Sequence, residues 1–166
     1  YLPDVTAPEI SVKKTEKTGI SPLEQLIRKE LPESTEVKRQ RLNGLYKKFS
    51  DCSLCTLKSG RKKLVFGNGN PDSSLMFIGD FPESGDTETG KPYCAEEGKI
   101  LNRIIENVMH MNRNDVIVMP LVKCPVIGMN ITEMQQIESC YKIVMEQIDI
   151  VRPKYICCLG RYSAAF

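Results

Sequence analysis

The chain has 166 residues, 41% apolar and 27% charged, with seven cysteines, one histidine and no tryptophan. That length suits one compact domain with or without a tail, and the balance of apolar and charged residues excludes a disordered chain. No apolar run approaches the roughly 20 residues that a bilayer span requires, and no basic-then-apolar leader opens the sequence, so neither a membrane protein nor a secreted one is expected.

Residues 1–20 carry Pro3 and Pro8 among scattered charges and show little apolar periodicity, as in a flexible arm that could recruit a protein partner. Ser21-Pro22-Leu23-Glu24 reads as a helix start, with Pro32 closing the helix, and a second, basic helix is predicted from Glu36 to Phe49 with Leu42, Leu45 and Phe49 on one side. These helices form a 21–50 segment ahead of a main domain at 51–166. Lys63–Phe66 is a short strand candidate, and Gly67–Pro71 is a turn cluster. Ser74–Gly79, Val116–Val122 and Tyr155–Leu159 are continuous apolar runs, expected of strands covered on both faces. Between them, Glu96–Met109 and Met134–Ile148 repeat apolar residues at helical spacing. Strand, helix, strand, helix, strand implies an α/β fold: a three-layer α/β/α sandwich with a central, mostly parallel sheet. In such sheets the site lies at the C-terminal ends of the strands, which brings the Asp80–Tyr93 loop and Lys123-Cys124 to one rim.

Charge is distributed unevenly. Thr35–Lys63 holds nine Lys or Arg against two acids, whereas Asp72–Lys99 holds seven acids against two lysines. A polyanion-binding face beside a carboxylate-bearing site fits this division, and so does a solvated helix next to an acidic loop.

Cys52 and Cys55 form a CxxC, Cys124 follows a predicted strand, and Cys140 comes 16 positions later. Four thiolates so spaced can ligate an iron–sulfur cluster. A zinc site held by four cysteines is the rival, although zinc ribbons pair one CxxC with a second close pair. Disulfides are disfavoured by an odd cysteine count in a reducing compartment. Cys157 and Cys158 read as small core residues and Cys94 as an unligated loop thiol.

The order Cys52-x-x-Cys55-x-Leu57, Arg61, Val65-x-Gly67-x-Gly69-Asn70, Leu75-Met76-x-Ile78-Gly79, Gly90-x-Pro92-Tyr93, Lys123-Cys124, Cys140 and Leu159-Gly160 resembles the iron–sulfur uracil-DNA glycosylases over Leu45–Ala165. The resemblance implies an α/β/α fold, a [4Fe–4S] cluster on Cys52, Cys55, Cys124 and Cys140, and excision of uracil or another deaminated base from single- or double-stranded DNA. It makes Asp80 and Asp86 the catalytic acids and sets Phe81 and Tyr93 against the flipped base. Lys47, Lys48, Arg61, Lys62 and Lys63 would touch phosphates.

Four positions depart from the family. Asp80 stands where the family has Glu, Pro120 where it has the uracil-reading Asn, and Met129-Asn130 where it has Asn-Arg. The family's His-Pro-Ser motif is not reached before Phe166, and His110 reads as a surface histidine near a helix end. The chain opens at Tyr1 and stops in what reads as the first turn of a helix, so a fragment or a processed product is expected. Two functions remain open: a glycosylase, or a catalytically degenerate domain that binds nucleic acid or docks a protein. A cytoplasmic monomer is expected in either case.

Overall fold

The computed structural model describes residues 33–126 and 133–166. The expected arm and first helix, and the Met129-Asn130 pair, lie outside the described residues.

Helix α1 (Thr35–Phe49) starts at the Ser34 N-cap, whose hydroxyl accepts from the Val37 N–H. It buries Leu45 and half-buries Leu42 and Phe49, the face its periodicity predicted. Its N-terminus is fastened to the loop just ahead of the strand Leu75–Gly79. The Thr35 hydroxyl donates to Asp72, and Lys38 pairs with the same carboxylate at 2.9 Å. After the CxxC comes a short 3-10 turn, Thr56–Gly60.

Among the described residues the sheet has four strands, β1 (Asn68–Gly69), β2 (Leu75–Gly79), β3 (Ile117–Pro120) and β4 (Tyr155–Leu159), in the order β1-β3-β2-β4. The three long strands are parallel, and β1 is a two-residue antiparallel edge on β3. Helix α3 (Glu96–Arg103) covers one face through Leu101, with Ile105 beyond it, against Phe77 and Val118. Helix α4 (Glu133–Val151) covers the other with Ile137, Val144 and Val151 against Met76, Ile78 and Met119. The expected α/β/α layering is therefore present. Two short helices complete the described chain, α2 (Asp86–Thr89) and α5 (Arg161–Ala165).

Four expectations need correction. Leu64–Phe66 is buried but forms no ladder strand, its Val65 N–H donating to Lys123 C=O at 3.0 Å beyond the end of β3, while the ladder pairing falls inside the predicted turn at Asn68-Gly69. The helix at 96–109 is α-helical only to Arg103. Ile104–Val108 widens into a π-turn, and Ile100, Ile104 and Val108 face outward. Among the described residues strand β4 is an edge rather than an interior strand, with Tyr155 69% and Ile156 45% exposed. Cys158 is accordingly exposed, and Cys157 only packs against the rim of the α3-side core.

Candidate functional site

The parallel register aligns Gly79, Pro120 and Leu159 at the C-terminal end of the sheet. Beyond the strands the chain stays paired, with Leu121 N–H donating to Gly79 C=O at 2.6 Å and Val122 N–H to Asp80 C=O at 3.0 Å. At this rim lies a cavity of about 240 Å³ lined by Asp80, Phe81, Asp86, Tyr93 and Pro120. That volume is at the small end for a ligand site, which suits one flat ring. A larger hollow of about 500 Å³ opens between α1 and α4, but none of the expected base-site residues lines it.

Each cavity side chain has a local reason for its place. Asp80 points across to α5. Its Oδ1 accepts from Ser163 N–H at 2.8 Å and its Oδ2 from Tyr162 N–H at 3.3 Å, so the carboxylate caps the helix. This approach requires Gly160, where a Cβ would overlap the Asp80 carboxylate. Asp86 is buried and staples the acidic loop, accepting from Cys94 N–H at 2.8 Å and Glu83 N–H at 3.2 Å. Phe81 packs edge-on to Tyr162 at 5.4 Å between ring centres. Tyr93 takes a left-handed backbone, φ 59°, and lays its ring and hydroxyl over Gly79, where no side chain would fit. Burial first, then Asp80, Asp86 and Glu97, raise the Tyr93 phenol above its ordinary value, so it stays neutral. Pro120 offers the cavity no side-chain hydrogen bond, and its carbonyl is turned to Lys123.

Sequence reasoning missed two cavity carboxylates, Glu83 and Glu97. Loss of water contact, then the hydrogen bond its protonated form donates to Glu97, raises the Glu83 carboxyl. The signal was present in the acid-rich run from Asp72 to Lys99. Which acids face inward depends on the turn through α2.

On the other side of the β3 exit are the four cysteines. Cys124 and Cys140 are buried, and Cys52 and Cys55 half-buried. Burial, opposed by Arg61, raises the Cys124 thiol, and burial pushes Cys140 up to about 11. Each of these two thiols also feels its neighbours: Cys52 and Cys55 act on Cys124, and Cys124 and Cys55 on Cys140. Among the described residues, no three His, Cys, Asp or Glu side chains form a group that could grip one metal ion. Two cations accompany the thiols. Arg61 donates to Cys124 Sγ at 3.0 Å and to the Cys52 carbonyl at 2.8 Å, and so it is turned inward. Lys123 is fully buried, donating to the carbonyls of Pro120 at 2.6 Å and Phe66 at 3.3 Å. Burial lowers its ammonium to about 7, with Cys140 opposing the fall. Buried thiols with cations at hand suit an anionic metal–thiolate centre better than they suit neutral disulfides.

Of the remaining basic residues, Lys48 pairs with Glu146 at 3.7 Å and Lys62 with Glu88 at 2.6 Å, whereas Lys47 and Lys63 are exposed with no carboxylate partner among the described residues. Cys94 is an exposed thiol, bonded locally to Lys91 C=O and Thr89. His110 is exposed and follows the π-turn with φ 53°.

The sequence profile of the uracil DNA glycosylase superfamily matches residues 66–166, which include β2, β3, β4 and the whole rim cavity. The chain belongs to the uracil DNA glycosylase superfamily. Among its relatives, the Type-4 uracil-DNA glycosylase of Saccharolobus solfataricus is 36% identical over 115 residues, covering 69% of this chain and 53% of that one. That of Sulfurisphaera tokodaii is 30% identical over 125 residues, covering 75% and 57%. That of Archaeoglobus fulgidus is 26% identical over 125 residues, covering 75% and 62%. This superfamily member thus spans between about half and three-fifths of the length of these relatives. No described helix is long and apolar enough to cross a membrane.

Proposed function

We propose that this chain carries the base-binding site of a DNA repair glycosylase, taking one flipped deaminated base into the rim cavity for hydrolysis of its N-glycosidic bond. The observation that carries the reading is the meeting of Asp80, Phe81, Tyr93 and Pro120 around one ring-sized cavity at the ends of parallel strands. A base cannot be attacked inside the stack, so a pocket of this size with an aromatic wall is the physical requirement. Tyr93 stacks on the base. Asp80 holds the attacking water on the lone pairs left free by its two backbone donors, and its fixed orientation is an advantage for that task. With Pro120 in place of an amide, the base edge is read by shape and backbone groups, which loosens the preference for uracil.

Cys52, Cys55, Cys124 and Cys140 would hold the [4Fe–4S] cluster, with zinc on the same four cysteines as the alternative. A bound cluster supplies a rigid tie between the segment after α1 and the body of the domain. The order and spacing of the four cysteines, with Cys124 and Cys140 buried, support the cluster. Such a centre belongs in a reducing intracellular compartment. Lys47 and Lys63, with Lys48 and Lys62 released from their ion pairs, would meet DNA phosphates.

A degenerate binding module is the second reading. It is favoured by Pro120 and by the engagement of both Asp80 oxygens with α5. An excision assay on uracil, hypoxanthine and xanthine in single- and double-stranded DNA separates the two. The glycosylase reading expects product from at least one substrate, with Asp80→Asn reducing it about 100-fold or more. Salt-sensitive binding with no product from any substrate overturns the enzyme and leaves the module.

A further inference from the structure

A second cavity, of about 320 Å³, shares no lining residue with the rim cavity, and the base chemistry does not use it. Arg39, Asn43 and Tyr46 line it from one face of α1, at helical spacing. The segment from Phe66 to Gly69 lines it too, with the Phe66 ring edge-on to Tyr46 at 5.6 Å between ring centres. From α4 comes Gln147, which is only 1% exposed. Its Nε2 donates to the Phe66 carbonyl at 2.9 Å, and that bond fixes which way the amide faces. Its Oε1 is buried and has no partner among the described residues. A Cβ at Gly67 would come within 3.6 Å of the amide nitrogen, so the glycine leaves the wall bare beside it.

A buried acceptor without a donor is destabilising and calls for an explanation. One water fills about 30 Å³, an order of magnitude less than this cavity. Cations stand beside the space. Arg39 is exposed and held only by Glu36 of its own helix at 3.4 Å, a weak pairing. Lys63 is exposed, and a Cβ at the lining residue Gly90 would lie 3.6 Å from its Cβ. We propose that this cavity is a second nucleotide site, taking one unpaired base with its phosphate, free or as a unit of a strand. Gln147 Oε1 accepts a base N–H, the Tyr46 ring offers an aromatic surface, and Arg39 and Lys63 meet the phosphate. Because Gln147 presents an acceptor alone, an amino-bearing base is preferred. The inference requires neither base hydrolysis nor the cluster.

The test is calorimetric titration of the full chain with deoxyadenosine monophosphate and with its analogue carrying unsubstituted purine. The same contrast is repeated in a thymine oligonucleotide holding one adenine or one purine. Wild type is expected to bind the adenine form about tenfold more tightly, since only adenine has an amino N–H to give. Gln147→Met keeps the volume without the acceptor and is expected to abolish that preference. Preference seen with the strand alone assigns the site to single-stranded DNA, and preference with both probes extends it to free nucleotides. Preference with neither, or its survival in Gln147→Met, overturns the proposal. Should Gln147→Met fail to fold, Tyr46→Ala at the exposed side is read instead: about tenfold weaker binding of the adenine probe supports the site, and unchanged affinity overturns it. Binding lost in Gly79→Ala but indifferent to Gln147→Met and Tyr46→Ala puts the nucleotide in the rim cavity and sinks this inference alone. An adenine preference that depends on Gln147, with no excision of any base, upholds this site and sinks only the glycosylase reading.

Discussion

The two sides of the β3 exit are built from opposite charges. Pro120 faces a cavity walled by Asp80, Glu83, Asp86 and Glu97, whereas four positions later Cys124 sits among thiols attended by Arg61 and Lys123. On the acidic side the buried or half-buried carboxylates are fixed by backbone N–H groups, Asp80 by α5 and Asp86 by its own loop. On the thiol side the cations donate mainly to backbone carbonyls, and nothing among the described residues neutralises Lys123. On the first side Asp80 and Asp86 have their backbone donors in place. That difference separates a pocket whose carboxylates are held by backbone donors from a group of cysteines held by burial.

The largest break in this comparison comes from the thiol side. If the cluster proposal holds, Cys140→Ala removes one of its four proposed ligands, and iron uptake is expected to fall to background with several kcal/mol of stability lost, since metal binding to such a site is folding free energy. Iron analysis and thermal melting check this. Next is the acidic side: Gly79→Ala sets a methyl against the Tyr93 ring, which the φ 59° backbone leaves little freedom to yield. A loss of about 1–3 kcal/mol is expected from overpacking, together with weaker base binding, while iron content stays at the wild-type level. A parallel fall in iron would show that the two sides are not separable.

The smallest effect concerns neither centre but the anchor of α1. Thr35, then Lys38, hold the Asp72 carboxyl below its ordinary range. A depressed folded value means that the contribution is present above the unfolded value near 3.8 and disappears as pH falls through the folded one. Because Asp72 is partly exposed, less than about 1 kcal/mol is at stake. Acid titration of Asp72→Asn against wild type reads it: the stability gap should close as the pH falls below about 4.

The strands β2 and β3, helices α1 and α4 and the layer order were legible because long apolar runs and 3.6-residue periodicity report burial directly. The same signal misled at β4. Tyr155–Leu159 is as apolar as β2, but no described strand covers its outer edge, and one sequence window carries no information about neighbours. It misled again at Ile104 and Val108, where a π-turn rotates the stripe away from the sheet. At the site, spacing marked Asp80, Tyr93 and the cysteines as candidates. What each carboxylate bonds to was invisible, because the partners of Asp80 lie 82 and 83 positions away. Lys123 had a readable clue, a lysine closing the buried run Val116–Val122, since a charge there has to be accounted for.

The Asp80 cap on α5 turns two backbone protons into reporters. The amides of Tyr162 and Ser163 end on the same carboxylate that lines the cavity, and Ser163 is itself buried. Their exchange with deuterated solvent is slow only while that carboxylate faces the helix. Any ligand that draws Asp80 toward the base side speeds their labelling, so cavity occupancy can be followed at the far end of β4 without watching the chemistry at all.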